Sequence, residues 1–220
     1  MIQYTIFGES HGPAIGVVIT GLPSGLAVDM EAVAAEMERR APGRDDTSTP
    51  RKEADKVQIL SGMFEGKTTG TPLCAVIPNT DTRSKDYSKL KDLPRPGHAD
   101  YTASLRYGGY ADYRGGGHFS GRLTAPLVFA GAVAKQILMA RGIVVASRID
   151  LLGGVENPTE EQIRMMLHAL QGPMRIERFI ATARYNDVQG SHEIPLNRMR
   201  ANPIAIPVNG KHRIHLTLPG

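Results

Sequence analysis

The chain has 220 residues, enough to bury a core as one large or two small domains. Hydrophobic residues make up 41% and charged residues 22%, the balance of an ordinary globular protein, while a net charge of +4 and a pI near 9.3 favour anionic partners. Phosphorylated small molecules fit that charge better than nucleic acid, because aromatics are only 5%, Trp is absent and the cations do not form one run.

The chain opens with MIQYTIFGESHG, which has neither a basic segment nor a long apolar one and so is not a secretory leader. Residues 2–7 predict a short strand. Gly8-Glu9-Ser10-His11-Gly12 then forms a polar loop before a second strand over 14–20, which puts a histidine at a sheet edge. Ser10 and His11 are not a hydrolase pair, since there is no G-x-S-x-G and neighbours on extended backbone point apart.

Residues 29–40 predict a helix capped by Asp29, with Met30, Val33, Ala34 and Met37 on one face, stopped by Pro42-Gly43. Arg39 and Arg40 suit the negative end of that helix. Arg44, Arg51 and Lys52 lie beyond it and suggest a phosphate or carboxylate clamp. Strands are expected at 57–60 and 72–78. The second holds the single cysteine, Cys74, in an apolar setting that argues for a buried structural thiol and excludes an internal disulfide. Residues 79–92 are polar and read as exposed.

The stretch from Arg95 to Pro126 stands out. It carries Arg95, Arg106, Arg114 and Arg122, the histidines His98 and His118 and the run Gly115-Gly116-Gly117, offset only by Asp100 and Asp112. Three glycines let backbone N–H groups approach a ligand closely, and the following helix start suits an anion. The run matches neither a P-loop nor G-x-G-x-x-G. Thr124 is a candidate cap for a helix to about residue 141, apolar on nearly all sides and therefore expected in the core. No apolar run approaches the ~18 residues of a membrane span, so a cytoplasmic protein without membrane contact is expected.

A strand is expected at 143–146. Asn157-Pro158-Thr159-Glu160 opens a further helix in capping-box style to about 171, and another strand is expected at 175–184. Asn209-Gly210, between Ile204–Val208 and Lys211–Leu218, is a hairpin signal, with Pro207 pointing to a sheet edge. The pairs His98/His118 and His212/His215 lack acidic or Cys partners at ligand spacing, so no metal site is expected.

Several segments together resemble one family. They are Gly8-Glu9-Ser10-His11-Gly12, Arg39-Arg40-x-Pro42-Gly43, Ile59-Leu60-Ser61-Gly62 with Phe64-Glu65-Gly66, and Asn79-Thr80-Asp81 with Arg83-Ser84. They continue with Arg95-Pro96-Gly97-His98-Ala99-Asp100-Tyr101 and Asp112-Tyr113-Arg114-Gly115-Gly116-Gly117, then Ser120-x-Arg122. Up to about residue 150 they are similar, in order, to chorismate synthase.

The resemblance implies an FMN-dependent lyase that converts 5-enolpyruvylshikimate 3-phosphate to chorismate and phosphate by 1,4-elimination. FMN would be needed in its reduced form, with NADPH or an external flavin reductase as the source of electrons. It implies His11 near the departing phosphate and His98 as the proton donor to the flavin, both as general acids. It places Ser10, Arg40, Arg44 and Arg122 with the substrate, and His118, Phe119, Ser120 and again Arg40 with the cofactor. The fold it implies is α/β (α+β), a layered β-α-β sandwich of antiparallel or mixed sheet and helices, shortened relative to the family. A homotetramer and a cytoplasmic location are implied as well.

The chain departs from the pattern where Arg-Ser-Ser is usual and His118-Phe119-Ser120 stands instead, followed by Gly121-Arg122. The family's Gly-rich flavin region and Arg-x-Asp-Pro motif are not found in residues 151–220, which are expected to form a helix, strands and a hairpin beside a core of 1–150. The alternative reading is a truncated or remodelled relative that binds phosphorylated small molecules, or acts in assembly, without catalysis.

Overall fold

β1 (Gln3–Gly8) and β2 (Ala14–Thr20) form the expected antiparallel pair in the computed structural model, with Ile6 opposite Val17. The structure describes residues 1–41, 55–80, 93–95, 97–152, 154–169, 176–187, 190–195, 204–208 and 212–216. The chain divides into two compact units, Met1–Ala134 and Lys135–Gly220.

The first unit holds a four-stranded sheet in the order β1-β2-β6-β3, where β3 is Gln58–Ser61 and β6 is Leu73–Pro78. A small ribbon of β4 (Met63–Phe64) and β5 (Lys67–Thr68) lies between those two in sequence. The register sets Ile15 against Ile77, Val17 against Ala75 and Ile19 against Leu73, and all six side chains are buried. Alternation of one buried face along both strands is what a two-residue period gives when one side meets the core. Cys74 falls on the opposite, half-buried face, so the expected buried thiol is corrected by that same alternation.

α1 (Met30–Arg40) starts where Asp29 accepts the N–H groups of Glu31 and Ala32 at 2.9 and 3.0 Å, and it ends on Arg39 and Arg40. Of its expected stripe, Val33 and Met37 are buried, while Met30 and Ala34 are exposed. α2 (Asp100–Arg106) was not foreseen. It is under two turns long and buries only Ala103, too little apolar periodicity to register in the sequence.

Two 3-10 segments, Arg114–Phe119 and Gly121–Leu123, lead into α3 (Thr124–Met139), whose Ala125, Phe129 and Val133 are buried. α3 still shows an exposed edge at Leu127 and Met139, so it is not enclosed on all sides. By length and composition Arg114–Met139 could cross a membrane. Positive φ at Gly115, Gly116 and Gly117 breaks that stretch, and the 16-residue α3 alone spans about 24 Å, short of a bilayer's ~30 Å.

In the second unit, β7 (Val144–Leu152), β8 (Val155–Glu156), β9 (Ile176–Asp187) and β10 (Gly190–Pro195) form a sheet ordered β10-β9-β7-β8. β7 is longer than the strand expected at 143–146, and its long ladder with β9 draws it into this unit. The division between the two units falls inside α3, between Ala134 and Lys135. α4 (Glu160–Ala169) opens on a reciprocal capping box. Thr159 Oγ1 accepts the Gln162 N–H at 3.2 Å, and Gln162 Oε1 accepts the Thr159 N–H at 2.9 Å.

β11 (Ile204–Val208) and β12 (His212–Leu216) pair as the expected hairpin arms, from Ile204 opposite Leu216 to Val208 opposite His212. Asn209-Gly210 lies outside the described residues. Every pairing among the described strands is antiparallel, and with four α-helices among the described residues the fold is the expected α+β mixture.

Candidate active site

The glycine run organises the first unit's polar residues. Gly115, Gly116 and Gly117 take φ of 58°, 84° and 54°, a region that side chains other than glycine enter only at a cost. Their missing Cβ atoms matter as much as their torsions. A Cβ on Gly115 would overlap the His11 imidazole. One on Gly116 would lie 2.7 and 2.8 Å from Cε1 and Nε2 of His98, and one on Gly117 would strike the Asp112 carbonyl oxygen. Two histidines far apart in sequence are thereby seated on successive glycines of one loop.

The loop carrying His11 is pinned from both sides. The Ser10 N–H donates to the Gly117 carbonyl at 3.1 Å, and Ser10 itself is buried. The Asn79 side-chain amide donates to the carbonyls of Glu9 and Gly12, each at 2.9 Å. Asn79 is thus the brace that turns the chain between β1 and β2.

His98 is held by Asp100, at the first turn of α2. Its Nδ1 lies 2.6 Å from Asp100 Oδ1. Arg95 grips the same carboxylate through Nε at 2.8 Å, Nη2 at 2.9 Å and its backbone N–H at 3.0 Å. Those hydrogen bonds from the Arg95 side chain hold the Asp100 carboxyl well below the usual carboxylate range. Asp112 and Arg114 repeat the arrangement, with Nε, Nη2 and the backbone N–H of Arg114 at 2.9, 2.8 and 3.0 Å. The fork lowers the Asp112 carboxyl, and Asp112 in turn raises Arg114.

Of the arginines expected to meet substrate, the two within the described residues, Arg40 and Arg122, meet on one buried acid. Arg40 Nη1 lies 2.5 Å from Asp55 Oδ2, Arg122 Nη1 contacts Asp55 Oδ1, and the Asp55 side chain is fully buried. Arg122 is almost fully buried as well, and its Nε donates to Asn79 Oδ1 at 3.2 Å. Arg40 also reaches Thr124 Oγ1 at 3.3 Å and the Gly121 carbonyl at 3.4 Å. Two guanidiniums on one carboxylate leave the cluster with net positive charge, tied through Asn79 to the His11 loop. Arg44 lies outside the described residues.

The departure at residues 118–120 has its own structure. His118 Nδ1 lies 2.9 Å from the Gly8 carbonyl, so it must be protonated there to hydrogen-bond it. Phe119 packs near Tyr107 with ring centroids 6.2 Å apart, and the Ser120 hydroxyl accepts the Arg122 N–H at 3.3 Å. Beside them opens a cavity of about 780 Å³. Tyr101, Tyr107, Tyr110, Tyr113 and Phe119 give it aromatic walls, and Gly116 and His118 also line it. Ser10, His11, Arg40, His98, Ser120 and Arg122 do not line it, although their neighbours Glu9, Asp100 and Gly116 do.

Asp55, Asn79 and the tyrosine walls carried no assigned role in the sequence. Asp100 and Asp112 were visible there as counter-charges and as members of two motifs, without a role of their own. Asp100 two residues after His98 and Asp112 two before Arg114 were the signals that could have marked them.

A family model described as chorismate synthase matches residues 2–193. The chain belongs to the chorismate synthase family. The match runs past residue 150, the approximate limit of the resemblance read from the motifs, so most of the second unit is family sequence too. A chorismate synthase of Methanocaldococcus jannaschii is 56% identical over 138 residues, covering 63% of this chain and 36% of that protein. One from Burkholderia multivorans is 56% identical over 159 residues, covering 72% and 43%. A crystal structure of chorismate synthase aligns with a TM-score of 0.52 at 30% identity, over 73% of this chain and 40% of the other. The chain thus spans about two fifths of the length of the relatives it matches.

Proposed function

We propose that this chain is built for the chorismate synthase reaction, elimination of phosphate and a proton from 5-enolpyruvylshikimate 3-phosphate with reduced FMN as cofactor. The observation that carries the reading is the seating of His11 and His98 on Gly115 and Gly116, which sets two proton-carrying groups along one cationic loop. Substrate and cofactor are both polyanions, and Arg95, Arg114 and the Arg40–Asp55–Arg122 cluster surround that loop.

The residues fit a flavin. A cavity of about 780 Å³ falls within the ~300–1,000 Å³ of small-molecule sites, and its aromatic walls suit a flat ring system. Phe119, Tyr107 and His118 would hold it, with Gly116 letting backbone approach closely. When bound, a reduced flavin supplies reversible electron donation to the substrate as phosphate leaves.

The chain's own part is positional. Asn79 and the Ser10 N–H fix the His11 loop, so that His11 can meet the departing phosphate as a general acid. Arg95 keeps Asp100 ionised beside His98, the second acid. Arg40 and Arg122 supply fixed positive charge near Thr124, at the start of α3. NADPH or a separate reductase as electron source, a homotetramer and a cytoplasmic setting complete the proposal.

Calorimetric titration of reduced FMN and of the phosphorylated substrate, each alone and then together, tests the reading. Saturable binding of both, with FMN binding weakened by Phe119→Ala, supports it. Binding of the phosphate ester without any flavin binding favours the alternative, a non-catalytic relative.

A further inference from the structure

We propose that Asn79 is a positioning residue that holds Arg122 and the His11 loop in fixed register, through a side-chain amide that donates to the loop and accepts from the guanidinium. The amide is oriented by its partners. The carbonyl oxygens of Glu9 and Gly12 only accept, so both must meet Nδ2, at 2.9 Å each. The guanidinium of Arg122 only donates, so its Nε must meet Oδ1, at 3.2 Å. Turning the amide over would set an oxygen against two carbonyls and an NH2 group against a cation. The backbone adds a further tie. The Asn79 N–H donates to the Pro13 carbonyl at 3.1 Å and extends the ladder that pairs Pro78 with Ala14. Asn79 therefore stands at the end of β6, on a sheet strand, and holds the chain on both sides of His11.

The two groups it joins are anchored on different parts of the first unit. Arg122 belongs to the 3-10 turn before α3 and shares Asp55 with Arg40, at the end of α1. His11 is seated on Gly115, and the Ser10 N–H joins its loop to the Gly117 carbonyl. The amide bonds to both, so a displacement of the guanidinium reaches the His11 loop through one side chain. Replacing Asn79 by alanine removes these ties and leaves the charge of the Arg40–Asp55–Arg122 cluster as it is, which separates register from electrostatics.

The geometric claim needs neither substrate nor cofactor. Its use in catalysis rests on the lyase reading, with Arg122 on the substrate and His11 as acid to the leaving phosphate, and the two fail separately. 1H–15N NMR reads the geometry. In the wild type both Nδ2 protons of Asn79 should exchange with water more slowly than those of the exposed Asn157. Arg122→Lys keeps the charge but removes the Nε donor, and it should shift the His11 ring signals, assigned by their loss in His11→Gln. The same substitution should leave those signals unmoved when Asn79→Ala is already present. Asn79 protons exchanging as fast as those of Asn157, or an Arg122→Lys shift that persists beside Asn79→Ala, would overturn the proposal. Should Asn79→Ala fail to fold, the wild-type exchange decides alone. In turnover, kcat of Asn79→Ala should fall on the order of 10–100-fold with KM within about 3-fold, because the cations stay and the register of the acid is lost. An unchanged kcat would also overturn the proposal. Absence of phosphate release by the wild type would strike the lyase reading and leave the two NMR results to decide.

Discussion

Guanidinium–carboxylate pairing takes two opposite styles around the glycine loop. At Arg95–Asp100 and Arg114–Asp112 the partners are five and two residues apart, partly exposed, and closed by the backbone N–H as well as the side-chain fork. At Arg40–Asp55–Arg122 the partners are 15 and 67 residues apart, and the acid is sealed from water. Local pairs shape a loop and aim a histidine. The buried triad ties the end of α1 to the start of α3, and its removal is an error the fold cannot hydrate away.

Four substitutions sharpen that contrast, measured by chemical denaturation. Asp55→Asn should be the most damaging, at about 3–5 kcal/mol, because it strands two guanidiniums around a buried site. Gly116→Ala should cost about 1–3 kcal/mol through its positive φ, and it should also shift the His98 resonances, since the new methyl meets that ring.

Asp100→Ala should cost about 1–2 kcal/mol. Its pH dependence carries the sign of a depressed carboxylate. Asp100 has its folded value below the ordinary 3.8, so its contribution is complete above 3.8 and is lost as pH falls toward the folded value. The gap between wild type and Asp100→Ala should be flat at neutral pH and should narrow only in acid. Arg39→Ala, breaking the exposed 2.6 Å pair with Glu36, should cost about 0.5 kcal/mol or less. If Asp55→Asn proved as mild as Arg39→Ala, the distinction between the two styles would collapse.

The same contrast explains what could be read from the chain. β1, β2, α1, α3 and α4 were legible because each repeats its apolar residues at its own period or carries a cap, as Asp29 and Thr159 do. β10 was not, since Gly190-Ser-His-Glu-Ile-Pro195 has no alternation and pairs only through β9. The glycine loop stood out by composition, and His11 and His98 became acids through the family resemblance. Asp55 left no trace, because one aspartate in a polar stretch looks like any other until Arg40 of α1 and Arg122, just ahead of α3, converge on it. The tyrosines of the cavity were likewise scattered singly, and only the turn after α2 gathers Tyr107, Tyr110 and Tyr113 around one space.

Anaerobic phosphate release from 5-enolpyruvylshikimate 3-phosphate, with reduced FMN supplied chemically, tests the functional claim most directly. The expected result is release that requires reduced FMN and disappears in His98→Ala, with the variant's stability retained. No release from the wild type under those conditions, or equal release from His98→Ala, would contradict it.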